Sequence, residues 1–237
     1  MHLGDYLSAV EDSRKSIVVY SSADEPDDLD GLTTRNATVE YRPLPGDAAG
    51  FAVVRDETGF LGSISLADLR KLLEPPLYRP RNLDNLAPGY RGLYEVLSET
   101  LFTALDRRQL LAASREIENR AWRVGEGTLR VGFQRLSAIE TQVPVYEALG
   151  TETDLEIHVY GRDDWSVPEI PSVTVHAHEE AVEATEYWFL TFDGGPEDEQ
   201  ACALLAEERD SEEYVGFWTY DRDLVAKLAG YVRETFD

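Results

Sequence analysis

The sequence is poor in several residue types that would mark a particular class of protein. Its 237 residues include one cysteine, Cys202, which excludes an intramolecular disulfide framework and a zinc site built from cysteines. No stretch approaches the roughly 18 consecutive apolar residues of a membrane-spanning helix. The N-terminal residues are polar and acidic, unlike a signal peptide. These absences predict a soluble, cytoplasmic protein that folds without covalent cross-links.

Basic residues are also scarce. Lysine and arginine total 22 against 46 aspartate and glutamate, which gives a net charge of −24. Nucleic acids and anionic membranes both need a basic protein surface, so we expect neither as a partner. Only three of the basic residues are lysines. Because molar salt screens the repulsion between so many acidic groups, this composition predicts a halophilic source with a salt-loaded cytoplasm.

The hydrophobic pattern predicts a mixed α+β protein with two related units. The first unit covers residues 1–76 and reads as a helix, two strands, a hairpin and a second helix. A proline-rich linker follows over residues 77–89, because proline interrupts both helices and central strands. Residues 90–237 begin with a helical middle segment and continue with strands. We therefore expect antiparallel-rich sheets in both units, joined by the linker and the helical segment.

The individual elements follow from periodicity and from capping residues. Helices are predicted over residues 3–13, 66–73, 90–101, 106–125, 136–149 and 222–235, and strands over residues 16–20, 37–41, 51–55, 60–65, 155–160, 173–178, 187–192, 201–207 and 214–220. The stretch from Thr128 to Phe133 fits either a strand or a loop. Pro144 lies inside the predicted helix 136–149 and is expected to kink it.

The order of elements near the N-terminus recurs near the C-terminus. Residues 16–24 parallel 155–163, residues 36–41 parallel 172–177, residues 50–56 parallel 187–193, and residues 61–69 parallel 215–224. This pattern predicts a duplication whose two halves pack like a symmetric dimer, with a ligand cleft between them. Two unrelated strand–hairpin–helix units are the alternative.

Motifs for catalysis are missing. The sequence contains no nucleophile elbow, phosphate-binding loop or dinucleotide-binding motif, so we predict no enzyme and no cofactor. His176 and His178 share one strand face, and together with His158 and Glu180 they offer possible metal ligands. Because apolar residues alternate with these histidines, a solvated strand face is the favoured interpretation, and no metal site is predicted.

The helical middle segment supplies the first candidates for ligand binding. Ser114 and Glu118 lie four residues apart, and Arg115 precedes Glu118 by three, so the three share one region of a helix surface. A solvated face on which these groups pair with each other is the alternative to a pocket. Aromatic residues are expected to line the core or to wall an apolar cleft. The predicted ligand-binding residues are Ser114, Arg115, Glu118, Phe133, Gln134, Trp188 and Trp218.

A series of short segments resembles a known family. The segments, in chain order, are Leu93–Tyr94, Ser114–Glu118, Gly132–Gln134, Tyr146–Leu149, Ile157–Gly161, Trp188, Ala203–Glu208 and Tyr214–Asp221. Their order is similar to that of the DICT domain, a sensory module found with diguanylate cyclases and two-component proteins. The acidic composition resembles the stand-alone haloarchaeal members in particular. The resemblance implies signal sensing, and it supplies no established ligand or catalytic residue.

These observations predict a non-catalytic sensor. It would bind a small ligand or a partner and relay a conformational change to a separate output protein, with the linker and the middle helices as the moving parts. One alternative is a protein-interaction adaptor that binds no small ligand. Another is an enzyme that uses His158, His176 or Arg115 in a cleft. A protein partner that carries the output is expected, and a homodimer is left open.

Overall fold

A computed structural model describes residues 2–22, 29, 36–45, 49–73, 93, 96, 99–196, 198–210 and 213–237. The predicted linker, residues 77–89, lies outside these ranges. The chain divides into two compact units: residues 9–101 form the smaller, and residues 1–8 together with 102–237 form the larger. The predicted boundaries at residues 76 and 90 stay a prediction. No described helix is long and apolar enough to span a membrane.

The smaller unit contains a sheet of 4 strands with the order β2-β1-β3-β4. Its elements are β1 (Lys15–Ser21), β2 (Ala37–Pro43), β3 (Phe51–Asp56), β4 (Gly59–Ser65) and α2 (Leu66–Leu73), preceded by α1 (Leu3–Asp12), which both units share. Strand β1 runs parallel to β2 and antiparallel to β3, and β3 and β4 form a hairpin. The apolar side chains of β1, β3 and α2 form the core, including Ile17, Val54 and Leu69.

The larger unit contains a sheet of 7 strands with the order β5-β11-β10-β9-β6-β7-β8. Its strands are β5 (Glu99–Asp106), β6 (Glu126–Arg135), β7 (Asp154–Arg162), β8 (Val173–His178), β9 (Tyr187–Phe192), β10 (Cys202–Asp210) and β11 (Glu213–Thr219), and its helices are α3 (Arg107–Val124), α4 (Val143–Glu152) and α5 (Arg222–Phe236). Strand β7 is parallel to β6 and β8, whereas the β6–β9, β9–β10 and β10–β11 pairs are antiparallel. The predicted α+β class is confirmed.

Helix α3 begins and ends where its capping residues predict. The Asp106 carboxylate accepts from the Gln109 backbone N–H at 2.8 Å, and the Gln109 side chain accepts from the Asp106 N–H at 2.9 Å. This reciprocal pair satisfies two of the free N–H groups at the helix start. At the other end Gly125 takes a φ of 79°, a left-handed conformation that glycine adopts without steric cost.

Both faces of the larger sheet are covered. Helices α3 and α4 pack on one face, over a core that includes Leu129, Ile157 and Leu204. Helix α5 packs on the other face, against β9 and β10. The start of α1 lies beside α5, where the Tyr6 hydroxyl donates to the Lys227 carbonyl at 3.1 Å. Each fully buried aliphatic side chain contributes about 1.5–3 kcal/mol, so these two interfaces hold the unit together.

Two predicted helices differ from the structure, and one undecided stretch is a strand. The predicted helix 90–101 falls mostly outside the described residues, and its last three residues begin strand β5. The undecided stretch Thr128–Phe133 belongs to β6, where strands on both sides satisfy its backbone. The predicted helix 136–149 is a 3₁₀ segment, Leu136–Gln142, followed by α4. Pro144 lies in the first turn of α4, where its missing N–H costs nothing, so it starts a helix instead of kinking one.

The strand orders of the two sheets agree with only part of the predicted duplication. In each unit, the first two strands of the predicted repeat are parallel neighbours: β1 and β2 in the smaller unit, β7 and β8 in the larger. In the larger sheet, however, β6 lies between β7 and β9, and β10 lies between β9 and β11. Strand β11 therefore runs parallel to β9, whereas its supposed counterpart β4 runs antiparallel to β3. The duplication stays a prediction, and the pairing of residues 61–69 with 215–224 differs in direction.

Candidate functional site

Four of the predicted ligand-binding residues lie in two adjacent hydrogen-bonded groups on helix α3, which together make up its polar network. The Trp188 indole N–H donates to the Ser114 hydroxyl at 3.1 Å, and that hydroxyl donates to the Leu110 carbonyl at 2.9 Å. Glu118 forms an ion pair with Arg115 and accepts from the Tyr146 hydroxyl at 2.8 Å. Glu118 is only 5% exposed, so this carboxylate does not lie on a solvated helix face, although it pairs with Arg115 as that alternative expects.

Burial dominates the electrostatics of this network. It raises the pKa of Glu118, while the Arg115 charge and the Tyr146 hydrogen bond act in the opposite direction. Burial also raises the pKa of Tyr146 well above its usual value, and the neighbouring Glu118 carboxylate adds to that effect. Each polar group named here has a partner inside the protein, so the network holds α3 against the sheet and against α4.

A cavity of about 620 Å³ opens where the carboxyl ends of β6 and β7 meet the start of α3. Its walls include Arg107, Phe133, Gln134, Arg135, Arg162 and Tyr214. Ser137, Thr185 and Glu208 also line it. In open sheets, ligands characteristically bind in the crevice outside the carboxyl ends of parallel strands. Two predicted residues, Phe133 and Gln134, therefore lie at a place suited to a ligand.

The backbone at the edge of this cavity is irregular. The β6–β7 register shifts between Gly132 and Arg135, which marks a bulge. Gln134 takes a φ of 60°, a left-handed conformation that costs a non-glycine residue about 1–3 kcal/mol. Its side-chain amide donates to the Glu186 carbonyl at 3.0 Å. Bulges and strained residues of this kind re-aim side chains and concentrate at functional sites.

The cavity concentrates positive charge in a strongly acidic protein. Arg135 and Arg162 are direct partners across β6 and β7, so two like charges stand side by side. Arg107 lies at the start of α3, 6.0 Å from the Trp188 ring centre. Within the described ranges, no carboxylate lies within ion-pair distance of these three arginines, but Asp164 is close enough to interact electrostatically with Arg135. The nearby Asp164 is held by the Ser137 N–H and hydroxyl, at 2.9 and 2.7 Å.

The histidines form a second cluster, which lies beside α5 and shares no residue with the cavity. His158 is 7% exposed, and its Nδ1 lies 3.0 Å from His176 Nε2. His158 Nε2 donates to the Glu156 carboxylate at 3.1 Å. The predicted solvated strand face is therefore wrong for His158. Burial lowers the pKa of His176 and of His178, and Glu180 is exposed and takes no part in the cluster.

Three residues that the sequence did not point to complete the second cluster. The Asp237 carboxylate lies 3.8 Å from His176 Nε2. It accepts from the Tyr160 hydroxyl at 2.5 Å and from the Arg130 guanidinium at 3.2 Å. Burial, together with the hydrogen bond to Asp237, raises the pKa of Tyr160. Asp237 is 79 residues beyond His158 along the chain, and only the packing of α5 brings the two together.

Trp218 lies apart from both sites. It borders a recess of about 20 Å³ between α3 and strands β10 and β11, together with Cys202. That space holds no more than one water molecule. The sequence also missed the three arginines of the cavity. Arg135 and Arg162 are the last residues of β6 and β7, and a basic residue at a strand end is the signal that would have found them.

Comparison with known families assigns the central part of the chain. Residues 92–209 match the sequence model of a family described as a sensory domain in diguanylate cyclases and two-component systems, DICT. Residues 92–209 are a DICT domain. The domain contains α3, β6 and β7, and so it supplies most of the cavity wall. Tyr214 and helix α5 follow the matched residues. The resemblance to the DICT family is confirmed, whereas the likeness to its stand-alone haloarchaeal members stays a prediction.

Further comparisons add little about function. One solved structure, a polyphosphate kinase from Porphyromonas gingivalis, is 12% identical to this chain with a TM-score of 0.38. The comparison covers 98% of this chain and 47% of the kinase chain, so the protein spans about half the length of that neighbour. A likeness of this size supports no argument about fold or function. No curated protein matches the sequence.

Proposed function

We propose that the protein is a non-catalytic sensor that binds a small anionic molecule in the cavity at the ends of β6 and β7. Binding would change the conformation around α3 and pass a signal to an output module outside these 237 residues. The sensory character of the DICT domain supports the general role. The observation that carries the proposal is the group of three arginines that line one cavity in a chain of net charge −24.

The arginine pair favours an anion because two positive charges lie side by side. Arg135 and Arg162 are direct neighbours on adjacent strands, where like charges destabilise the pairing. A phosphate or carboxylate group between them would offset this repulsion. The guanidinium fork also binds such groups through two parallel hydrogen bonds. Because the chain as a whole repels anions, this cavity would be a local exception.

A contact path leads from the cavity to helix α3. The Phe133 ring meets the Tyr146 ring edge-on, 5.8 Å between centres, and Tyr146 bonds to Glu118 on α3. The Tyr214 ring meets Trp188 at 5.9 Å, and Trp188 bonds to Ser114, also on α3. A ligand that touches Phe133 or Tyr214 would therefore contact the side chains that hold this helix. It can shift a conformational equilibrium only if it binds one state more tightly.

The anion proposal is tested with inorganic phosphate and sulfate. The full chain is titrated by calorimetry, and its unfolding temperature is followed at constant ionic strength with chloride as the reference. We expect phosphate to raise the unfolding temperature. The variant Arg135→Ala should bind phosphate about tenfold more weakly, because it loses a charge-assisted hydrogen bond.

The control is Arg123→Ala, which removes one exposed positive charge from the other end of α3. It should leave phosphate binding unchanged and fold normally. Two results would overturn the assignment: the absence of any shift with either anion, or equal losses in the two variants. A chain that binds no anion but co-purifies with another protein would favour the adaptor instead.

A further inference from the structure

We propose that His158, His176 and Asp237 bind a divalent transition-metal ion, with Zn²⁺ the best match. The three residues lie beside α5, and none of them lines the arginine cavity. The DICT assignment names no metal. If the ion is absent, the anion-sensing proposal is unaffected, and the reverse also holds.

The geometry of the donor atoms supports the proposal. His158 Nδ1 and His176 Nε2 are 3.0 Å apart, and His176 Nε2 is 3.8 Å from the nearer Asp237 oxygen. All three ligand atoms lie within 4.8 Å of one another. In a tetrahedral zinc site with bonds of about 2.0–2.1 Å, neighbouring ligand atoms are roughly 3.3 Å apart. The side chains would therefore need to move by about an ångström or less to share an ion.

The outer contacts of His158 match those of a metal ligand. Its Nε2–H donates to Glu156, so its Nδ1 is unprotonated and accepts the hydrogen bond from His176 Nε2–H. An ion would take the place of that shared proton, and His176 would then carry its proton on Nδ1. Histidines that bind metals almost always donate their second ring N–H to a carboxylate, a carbonyl or water, which fixes the tautomer and the ring orientation. Glu156 fills this role here.

Asp237 is positioned in the same way. The Tyr160 hydroxyl donates to it at 2.5 Å and the Arg130 guanidinium at 3.2 Å, so its carboxylate is held in place beside His176. A carboxylate has about four lone-pair positions and can accept these bonds while it binds an ion. Arg130 also places a positive charge next to the site. It therefore orients the ligand and at the same time weakens the attraction for a cation.

The donor set selects the class of ion. Two imidazoles and one carboxylate suit zinc and its neighbours in the first transition series, whereas Mg²⁺ and Ca²⁺ prefer oxygen ligands only. Three protein ligands leave a fourth position for water or another donor, unlike the closed set of four protein ligands in structural zinc sites.

The first experiment uses the full chain without an affinity tag, after treatment with a chelator. It is titrated with Zn²⁺ by calorimetry, and its unfolding temperature is measured with and without the ion. We expect one ion per chain and a higher unfolding temperature. His176→Ala and Asp237→Asn should each weaken binding at least tenfold and abolish the thermal shift. His2→Ala removes an exposed histidine and should change neither.

The second experiment leaves the three ligands intact. Glu156→Gln should weaken Zn²⁺ binding by about 10–100-fold, the usual effect of losing an outer carboxylate. The control is Glu180→Gln, which changes an exposed carboxylate two residues beyond the end of β8. Arg130→Gln should tighten binding, because it removes the opposing charge. Circular dichroism establishes that each variant is folded, and Asp237→Asn preserves the side-chain shape if His176→Ala does not fold.

Three results would overturn the metal site. The first is no zinc binding by the untagged chain. The second is unchanged binding in both His176→Ala and Asp237→Asn. The third is equal affinity for Mg²⁺, which would show binding by surface carboxylates instead of imidazoles.

Discussion

The larger unit uses its arginines in two contrasting ways. Arg115 pairs with the buried Glu118 and belongs to a network in which the described polar groups have partners inside the protein. Arg135 and Arg162 stand next to each other at the mouth of a cavity, and no described carboxylate pairs with them. The two groups are joined through Phe133 and Tyr146. Charges that are paired inside the protein stabilise the fold, whereas charges left facing a cavity are available to something else.

The same contrast separates relaxed from strained backbone. Helix α3, which carries the closed network, has complete caps at both ends. The end of β6, which borders the cavity, has a bulge and a non-glycine residue in the left-handed region. The caps of α3 thus stabilise the fold, whereas the strained backbone at the end of β6 destabilises it. Such local strain is common at binding sites.

The largest expected effect comes from opening the closed network. Glu118→Ala leaves Arg115 and the Tyr146 hydroxyl without their partner, and it should lower the free energy of unfolding by about 2–3 kcal/mol. Glu116→Ala removes an exposed carboxylate from the same helix and should cost no more than about 0.5 kcal/mol. Urea unfolding measures both. Equal effects would mean that the network does not stabilise the fold.

A smaller effect is expected from releasing strain at the cavity. Gln134→Gly should raise the free energy of unfolding by about 0.5 kcal/mol, since the gain at φ 60° exceeds the added entropy of the unfolded chain. Ser172→Gly is the matched control, because Ser172 has a φ of 57° and does not line the cavity. Both should be stabilising, but only the change at Gln134 should weaken phosphate binding. A loss of affinity in both variants would contradict the link between strain and the site.

The smallest expected effect is a change of the free energy of unfolding with pH. Burial raises the pKa of Glu118 above its usual value of 4.5, so the folded chain holds this proton more tightly than the unfolded chain. The contribution to stability is fully present below the unfolded pKa and is lost as the pH rises through the folded pKa. Glu118→Gln removes this dependence, and Glu116→Gln should keep it. The free energy of unfolding is measured at high salt from about pH 5 to pH 8 for the unchanged chain and for both variants. The same pH dependence in all three would contradict the role of Glu118.

Local signals account for the elements that the sequence predicts well. Helix α2 and strands β8 and β9 have the predicted bounds, because capping residues, turn residues and alternation are encoded within a few positions. The start of α3 at Asp106 is another example. What the pattern cannot show is which strands become neighbours. The insertion of β6 between β7 and β9 depends on contacts between distant residues.

The candidate site shows the same division. Phe133 and Gln134 belong to a segment that resembles the family, and they line the cavity. The bulge that aims them, however, arises only when β6 pairs with β7. The second cluster needs Asp237 beside His176, a contact created by the packing of α5. The three cavity arginines are far apart in the sequence, at positions 107, 135 and 162, so no local pattern shows that they meet. Ligand binding by the remaining predicted residues, and the halophilic source, stay predictions.

The packing of the first residues beside α5 has a consequence for how the chain matures. The hydrogen bond from Tyr6 to Lys227 joins residues 221 positions apart, and the Tyr6 and Tyr231 rings are 5.9 Å apart. During synthesis, the start of α1 must wait for α5 to emerge from the ribosome before either can cover the sheet. Contacts of such long range slow folding and leave apolar surface open to aggregation in the meantime. A recombinant fragment limited to residues 92–209 would lack both pieces and would remain in that incomplete state.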